Sequence, residues 1–358
     1  MKAQKSKINL LILLLVFSSI SLFSQKQEFT KKIEKEFPAN QNTLLNITNK
    51  FGDIVFVDWD NSKIQIVVNI TVSEKNEEKG QEKLNEIDVL FSTSGDEIIA
   101  KTEIKNNKSG FFKNTDNSNY KLSIDYEVKL PRYTKLKIDN RYGDVTINEH
   151  NGKSDFVVKF GSFTARNLPF DESKPLSKID VSYGKLNITK LTWADIDVSF
   201  SDANIDAFNG LELISKYTDV KIGNGSILKG KIQFGELVTG NIGTLELNSS
   251  YSDVKIGKLE KTLNLVASFG NVKILSLSKN FGGITIDSKY TDIKIIVDPA
   301  ASFTAIANLK FGDVKFPSDF NVQKVESATS VEVNSKIGNN PQPIIKVNGS
   351  FGDLKFEY

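Results

Sequence analysis

The chain contains one imidazole, His150, and no cysteine. A Ser-His-Asp triad or a His-based metal site would have to be built around that ring. Cysteine nucleophiles, thiolate zinc sites, disulfides and lipid-modified cysteines are excluded outright. His150 stands beside Glu149 and reads as a solvated turn residue. Arginine, the planar fork that grips phosphates and carboxylates, occurs only as Arg132, Arg141 and Arg166. Carboxylates are plentiful, but paired acids on so charged a surface select no glycosidase pair by spacing alone. The most regular acidic set is Asp219, Asp253, Asp292, Asp313 and Asp353, each followed two residues later by Lys221, Lys255, Lys294, Lys315 and Lys355. Stacked aspartates could bind calcium, yet each has an ammonium beside it, and a column of turn aspartates neutralised by a lysine column is the plainer reading. Trp59 and Trp193 could stack on a sugar, although packing against the protein body accounts for them equally simply. No catalytic, cofactor-binding or metal-binding residue is assigned, and no cofactor is expected.

Composition limits the partners. Forty-six basic residues against 44 acidic ones leave a net charge of +2, too balanced for a nucleic-acid surface. The 24 phenylalanines and 23 glycines are the unusual entries, and they belong to a repeat. An aromatic residue, a small residue, usually an Asp and then an aliphatic residue recur with aromatics at Tyr142, Phe160, Tyr183, Phe200, Tyr217, Phe234, Tyr251, Phe269, Tyr290 and Phe311. Outlying copies, apart from the regular run, begin at Phe51 and Phe351. From 142 to 311 the aromatics are 18, 23, 17, 17, 17, 17, 18, 21 and 21 residues apart.

Upstream of each aromatic, apolar residues keep step with it at a period of two, as Leu245 and Leu247 do with Tyr251. A strand places alternate residues on one face, so the ring is expected to point inward with them. Downstream the phase slips by one, to Val254 and Ile256. The small residue suits a chain corner, and Asp is a good turn former. Each repeat thus reads as strand, corner, strand and turn, and the constant phase suits parallel stacking. The expected fold is all-β: a β-solenoid over 136–358, with the ten regular aromatics and Phe351 as an internal structural ladder. Ten coils at about 4.8 Å per strand would span on the order of 48 Å. If those aromatics proved to be exposed, the solenoid reading would fail with them. The strict Tyr/Phe alternation leaves a 34-residue coil open beside the 17-residue one. Small polar residues two positions before the tyrosines (Asn140, Ser215, Ser249, Ser288) are expected to partner their hydroxyls, with Val181 before Tyr183 as the exception.

Residues 1–24 read as a secretory signal peptide: Lys2, Lys5 and Lys7, an apolar run from Ile8 to Val16, and a small polar stretch with cleavage near Ser24. Ser18, Ser19 and Ser21 interrupt the run well short of the ~20 apolar residues of a spanning helix. Residues 25–135 read as a β-rich region with strands at 43–49, 53–59, 63–72 and 121–130 and one short helix near 74–86. Within it, Asn106–Asn119 is an expected loop whose Phe111 and Phe112 pack back onto the first coils. An insertion near 317–343 interrupts the repeat, and Val347–Phe356 is expected to close the end of the rod.

Together, the Phe-Gly-Asp-Val and Tyr-Thr-Asp-Val repeats, Val128-Lys129-Leu130-Pro131 before them, and the terminal Asn348-Gly349-Ser350-Phe351-Gly352-Asp353 carry a resemblance. The chain resembles the bacterial putative adhesin family, a domain of unknown function with repeated β-strands, related to the head domains called GIN. That resemblance implies a single-stranded, right-handed parallel β-helix and an extracytoplasmic location in the periplasm, on the outer-membrane surface or secreted. It brings no site residues. The expected function is a non-catalytic adhesin or envelope scaffold whose partner is an unknown envelope protein or a surface glycan, with no nucleic acid bound and no transmembrane span in the mature chain. The alternatives are a polysaccharide-active lyase or hydrolase leaning on Arg141 or Arg166, and a binding protein in envelope stress signalling.

Overall fold

The computed structural model describes residues 26–105, 120–169 and 177–358. The expected leader and the stretch holding Phe111 and Phe112 lie outside the described residues. The fold is all-β with one described helix, and its strands form a single mixed sheet of 22 strands. No described helix is long and apolar enough to cross a membrane.

The repeats pair with one another in parallel, and from Lys135 to Ile296 each pairs with its neighbour in sequence. Lys185 of strand Lys185–Ser199 is opposite Asp202 of strand Asp202–Lys216, and Asp202 is opposite Asp219 of the next. The offset is one aromatic spacing, so the structure selects the 17-residue repeat over the 34-residue one. Where the spacing lengthens the register follows: Lys185 lies opposite Ser162, and Gly283 opposite Thr262. Alternate strand residues fill one continuous core, for example Leu186, Ile188, Leu191, Ile196 and Val198, each at most 2% exposed.

The corner departs from expectation. The aromatics are not internal: from Tyr142 to Phe351 the eleven expected ladder residues are 41 to 57% exposed. All of them, with Phe51, have φ between 51° and 64°, the left-handed region. A left-handed residue reverses the local chain direction instead of continuing the strand. The phase slip therefore occurs at the aromatic itself, and the ring swings out of the face shared by the residues before it. The inward residue nearest the corner lies two positions earlier, as with Asn140, Val158 and Ser215, each fully buried. Its polar versions serve the main chain and not a tyrosine hydroxyl. Asn140 Nδ2 donates to the Gly143 carbonyl at 2.9 Å, and the Ser215 and Ser249 hydroxyls donate to the carbonyls of Thr218 and Ser252, both at 3.4 Å. These carbonyls lie at the corners, and burying one unpaired would be costly.

The small residue is required by close approach. A Cβ on Gly143, Gly161 or Gly184 would stand 1.8 to 2.0 Å from the carbonyl oxygen of the equivalent residue one repeat earlier. Where Ser or Thr takes this place its hydroxyl works: Ser201 Oγ accepts from the Gly184 amide at 3.1 Å and donates to the Ser199 carbonyl at 2.8 Å.

Both ends differ from the sequence reading. Leu44–Lys50 and Ile54–Asp58 pair in parallel with Lys135–Arg141 and Val145–Glu149, so the Phe51 motif is the first repeat of the stack and not an outlier before it. The strands between return to cover it. Glu97–Ile104 and Lys121–Leu130 add in parallel, and Gln27–Pro38, Lys63–Glu74 and Ile87–Ser94 add antiparallel outside them. Helix Glu77–Asn85 packs there, capped by Asn76 Oδ1, which accepts from the Lys79 amide, with Leu84 buried and Gly80 against the Phe29 ring. At the far end Ile344–Ser350 does not finish the stack. It slots between Gly283–Ile296 and Phe303–Lys310, and the outer side of Phe303–Lys310 is covered by antiparallel Ser330–Ile337 from the interrupting segment.

Candidate functional site

The left-handed corners align, and their rings form a column. In spatial order they are Phe51, Tyr142, Phe160, Tyr183, Phe200, Tyr217, Phe234, Tyr251, Phe269, Tyr290, Phe351 and Phe311. Neighbouring ring centroids are 4.7 to 5.2 Å apart, with planes within 13° of parallel. Eleven such steps at the inter-strand spacing make a stripe roughly 50 Å long. Each ring covers its neighbours' faces and shows solvent its edge. The faces a sugar would stack on are thus taken by the column itself.

Holding an aromatic residue at positive φ costs about 1 to 2 kcal/mol per corner. Two interactions offset it. One is the ring stacking. The other is the main-chain ladder, which the corner leaves intact: the amides of Tyr142, Phe160 and Phe200 donate to Lys159, Ser182 and Lys216 carbonyls at 2.9 to 3.0 Å.

The motif aspartates have a comparable role. Asp53 Oδ1 accepts the Asp144 amide at 2.8 Å, Asp144 Oδ1 the Ser162 amide at 2.7 Å, and Asp219 Oδ1 the Glu236 amide at 3.0 Å. Asp253, Asp292 and Asp353 do the same for Asn271, Asp353 and Asp313 at 2.8 to 2.9 Å. One carboxylate oxygen is thereby committed to clamping adjacent repeats, and the other faces outward. The expected neutralising lysine is found in contact at the last repeats, where Lys315 Nζ lies 3.9 Å from both Asp313 and Asp353. The Lys324 ammonium beside Asp313 holds that carboxyl below its usual range.

The other singled-out residues are engaged elsewhere. Arg141 pairs with Asp139 at 3.2 Å, and Arg166 and Arg132 both reach Glu149, at 2.8 and 3.3 Å. Arg166 above all lowers the Glu149 carboxyl. His150 is not solvated: it is 1% exposed, its Nε2 has no hydrogen-bond partner, and burial depresses its pKa to about 4. Sequence reasoning missed this because Glu149 beside it is drawn outward by the arginines while the next residue turns in. Trp59 donates through its indole N–H to the Lys63 carbonyl at 2.6 Å, and the Trp193 ring lies over Gly210 in the next repeat. Among the described residues no cluster of His, Cys, Asp and Glu could hold a metal ion. A cleft of about 910 Å³ lies at the far end between Lys258, Phe281, Val297, Ala301 and Pro343.

No family model and no curated protein matches the chain. Several solved structures do, at low identity. A putative adhesin from Bacteroides fragilis is 12% identical over 91% of this chain and 97% of that one, with a TM-score of 0.27. A putative cell adhesion protein from Clostridium sporogenes is 12% identical over 93% of this chain and 99% of that one, with a TM-score of 0.19. A putative lipid binding protein from Parabacteroides distasonis is 12% identical over 92% of this chain and 97% of that one, with a TM-score of 0.27.

Proposed function

We propose that the mature chain is a non-catalytic, extracytoplasmic β-solenoid of the right-handed parallel kind, an adhesin or envelope scaffold that presents a rigid repeat surface to an envelope protein or surface glycan. The observation that carries this reading is the constant parallel register from Leu44 to Leu354. A register of that kind sets every outward side chain in a straight column about 4.8 Å from its equivalent, a periodic surface suited to recognition along its length. The exposed rings overturn the inward ladder on which the sequence reading of the solenoid stood, and the form proposed here rests on the parallel pairing alone, since the left-handed corner changes which way a ring points and not which repeat pairs with which. The lyase alternative has less support, since Arg141 and Arg166 are each tied to a carboxylate. Residues 1–24 serve in this reading as the leader, removed near Ser24.

Cell fractionation with protease added to intact cells tests the proposal. Removal of the protein by protease, with a mature amino terminus near Gln25, is the expected result. Complete protection would withdraw direct adhesion and leave only an internal envelope role. Specific cleavage of a polysaccharide by the purified chain would overturn the non-catalytic reading.

A further inference from the structure

The stripe is larger and more patterned than a solvated surface requires. Twelve aromatic side chains, eleven of them about half exposed and Phe51 less so, present on the order of 1,000 Å² of aromatic surface, given roughly 200 Å² per side chain. Exposed apolar patches on monomeric proteins seldom exceed several hundred Å², and larger ones mark interaction surfaces.

The charges beside the stripe say what would cover it. The residue before each ring, save the buried Ser182, faces outward on one flank. At these twelve positions stand Lys50, Arg141, Lys159, Lys216, Lys289 and Lys310 and no acid. On the other flank, two residues after each ring, nine of the twelve positions are Asp or Glu and one is Lys. The next outward columns reverse the signs again. Three residues before the ring come Asp139, Asp180, Asp197 and Asp287 against one base, Lys231, and four residues after it come six lysines between Lys221 and Lys355, with no acid. Across the stripe the order is therefore acidic, basic, aromatic, acidic, basic. Lys50, Lys159, Lys216 and Lys310 form no ion pair within the described chain.

This order is antisymmetric about the ring column, and it is self-complementary in one orientation. A twofold axis running parallel to the column brings a second copy ring edge to ring edge with both molecules pointing the same way. The basic column of each then faces the acidic column of the other, and the outer columns match likewise. A twofold axis across the column would make the copies antiparallel and set basic on basic and acid on acid. Like charges opposed along a whole interface cost far more than unlike ones gain.

We propose that the aromatic stripe is a homodimer interface, in which two copies associate in parallel and in register, edge to edge along their twelve corner rings. Burial of both stripes reaches the size of a standard stable interface, about 1,600 Å² in total. The symmetry is isologous, so each lysine contributes twice. The remaining faces stay open, so the inference holds whether or not the protein binds anything else.

The secreted, processed chain tests it, and its lack of cysteine makes single-site labelling clean. Sedimentation should show a dimer whose dissociation constant rises with salt. A Lys159→Glu, Lys216→Glu, Lys310→Glu variant, checked for unchanged circular dichroism, should dissociate at least about tenfold more readily. Val55→Cys, in the first repeat, should place two spin labels at the same end, separated only across the pair. An antiparallel pair would hold them roughly 50 Å apart along its length. A chain that stays monomeric at high micromolar concentration, labels at opposite ends, or a folded triple variant that dimerises as tightly as the parent would each overturn the proposal.

Discussion

The positive φ at the corners makes a prediction that runs against ordinary strand propensities. Phe200 is 49% exposed, has φ of 51°, and stacks between Tyr183 and Tyr217 at 5.0 and 4.8 Å. Replacing it with alanine removes about 100 Å² of buried apolar surface, worth about 2.5 kcal/mol at 25 cal/mol per Å². The two ring contacts add about 1 to 3 kcal/mol. Phe200→Ala keeps the strained backbone with nothing to offset it, so the loss is about 3.5 to 5.5 kcal/mol. Phe200→Gly forfeits the same contacts but occupies the left-handed region without steric penalty. It should recover about 1 kcal/mol relative to alanine, even after the greater entropy of glycine in the unfolded chain. Inside a strand glycine is normally the less stable of the two by about 0.5 to 1 kcal/mol. Urea midpoints of the two variants, compared at equal slope, decide the matter. An alanine variant as stable as the glycine variant would refute the strain argument and with it the account of why the rings face outward.

Three further outcomes follow from single contacts. Burial depresses His150 to about 4 from its ordinary 6.5, so the unfolded chain takes up a proton that the folded chain refuses. Stability should be intact above pH 6.5 and fall as pH drops towards 4, by about 3 kcal/mol in all; denaturation across that window should show the decline in the parent and not in His150→Leu. Gly225→Ala should cost about 1 to 3 kcal/mol by urea denaturation, because its Cβ would stand 2.1 Å from the ring of Phe208, which is 4% exposed and has nowhere to move. Asp219→Ala should lower the denaturation midpoint by about 1 kcal/mol and Asp219→Asn by much less, since asparagine still offers an oxygen to the Glu236 amide; equal losses would show that the clamp contributes nothing.

The strands, their length and the repeat that organises them were legible because burial imposes a period of two, and Leu263, Leu265 and Ala267 display it plainly. The helix was legible from composition, and it lies within the expected 74–86, shortened to Glu77–Asn85 with Asn76 as its cap. The direction of the rings was not. Counting by twos from Leu245 through Leu247 puts Tyr251 inside, and the count holds only while every residue is extended; one left-handed residue breaks it at the last step. The signal was present in the slip of phase to Val254, but it was assigned to the small residue after the ring, since glycine and not an aromatic is the usual occupant of positive φ. Phe51 was set apart for a related reason. Its partner Tyr142 is 91 residues away, and a fixed spacing cannot reveal a repeat separated from the rest by an inserted cap.

The same limit explains the far end, and there the ring column supplies the missing order. Along the sequence Tyr290 is followed by Phe311 and then Phe351, but in the stack Phe351 lies between them, 4.8 Å from the first and 5.0 Å from the second. Strand Ile344–Ser350 gives both Gly283–Ile296 and Phe303–Lys310 their parallel partner. Phe303–Lys310 thus does not join the sheet by simple continuation: its parallel partner comes from forty residues later, and its other edge pairs with Ser330–Ile337 in a local antiparallel hairpin. The interrupting segment is accordingly part of the architecture: it shelters the edge of Phe303–Lys310 and leaves the inner edge free for the last strand. Placing that strand inside the stack, with an antiparallel hairpin outermost, ends the parallel repeat in a strand order that a further parallel repeat cannot extend, which is how an edge of this length avoids recruiting other chains.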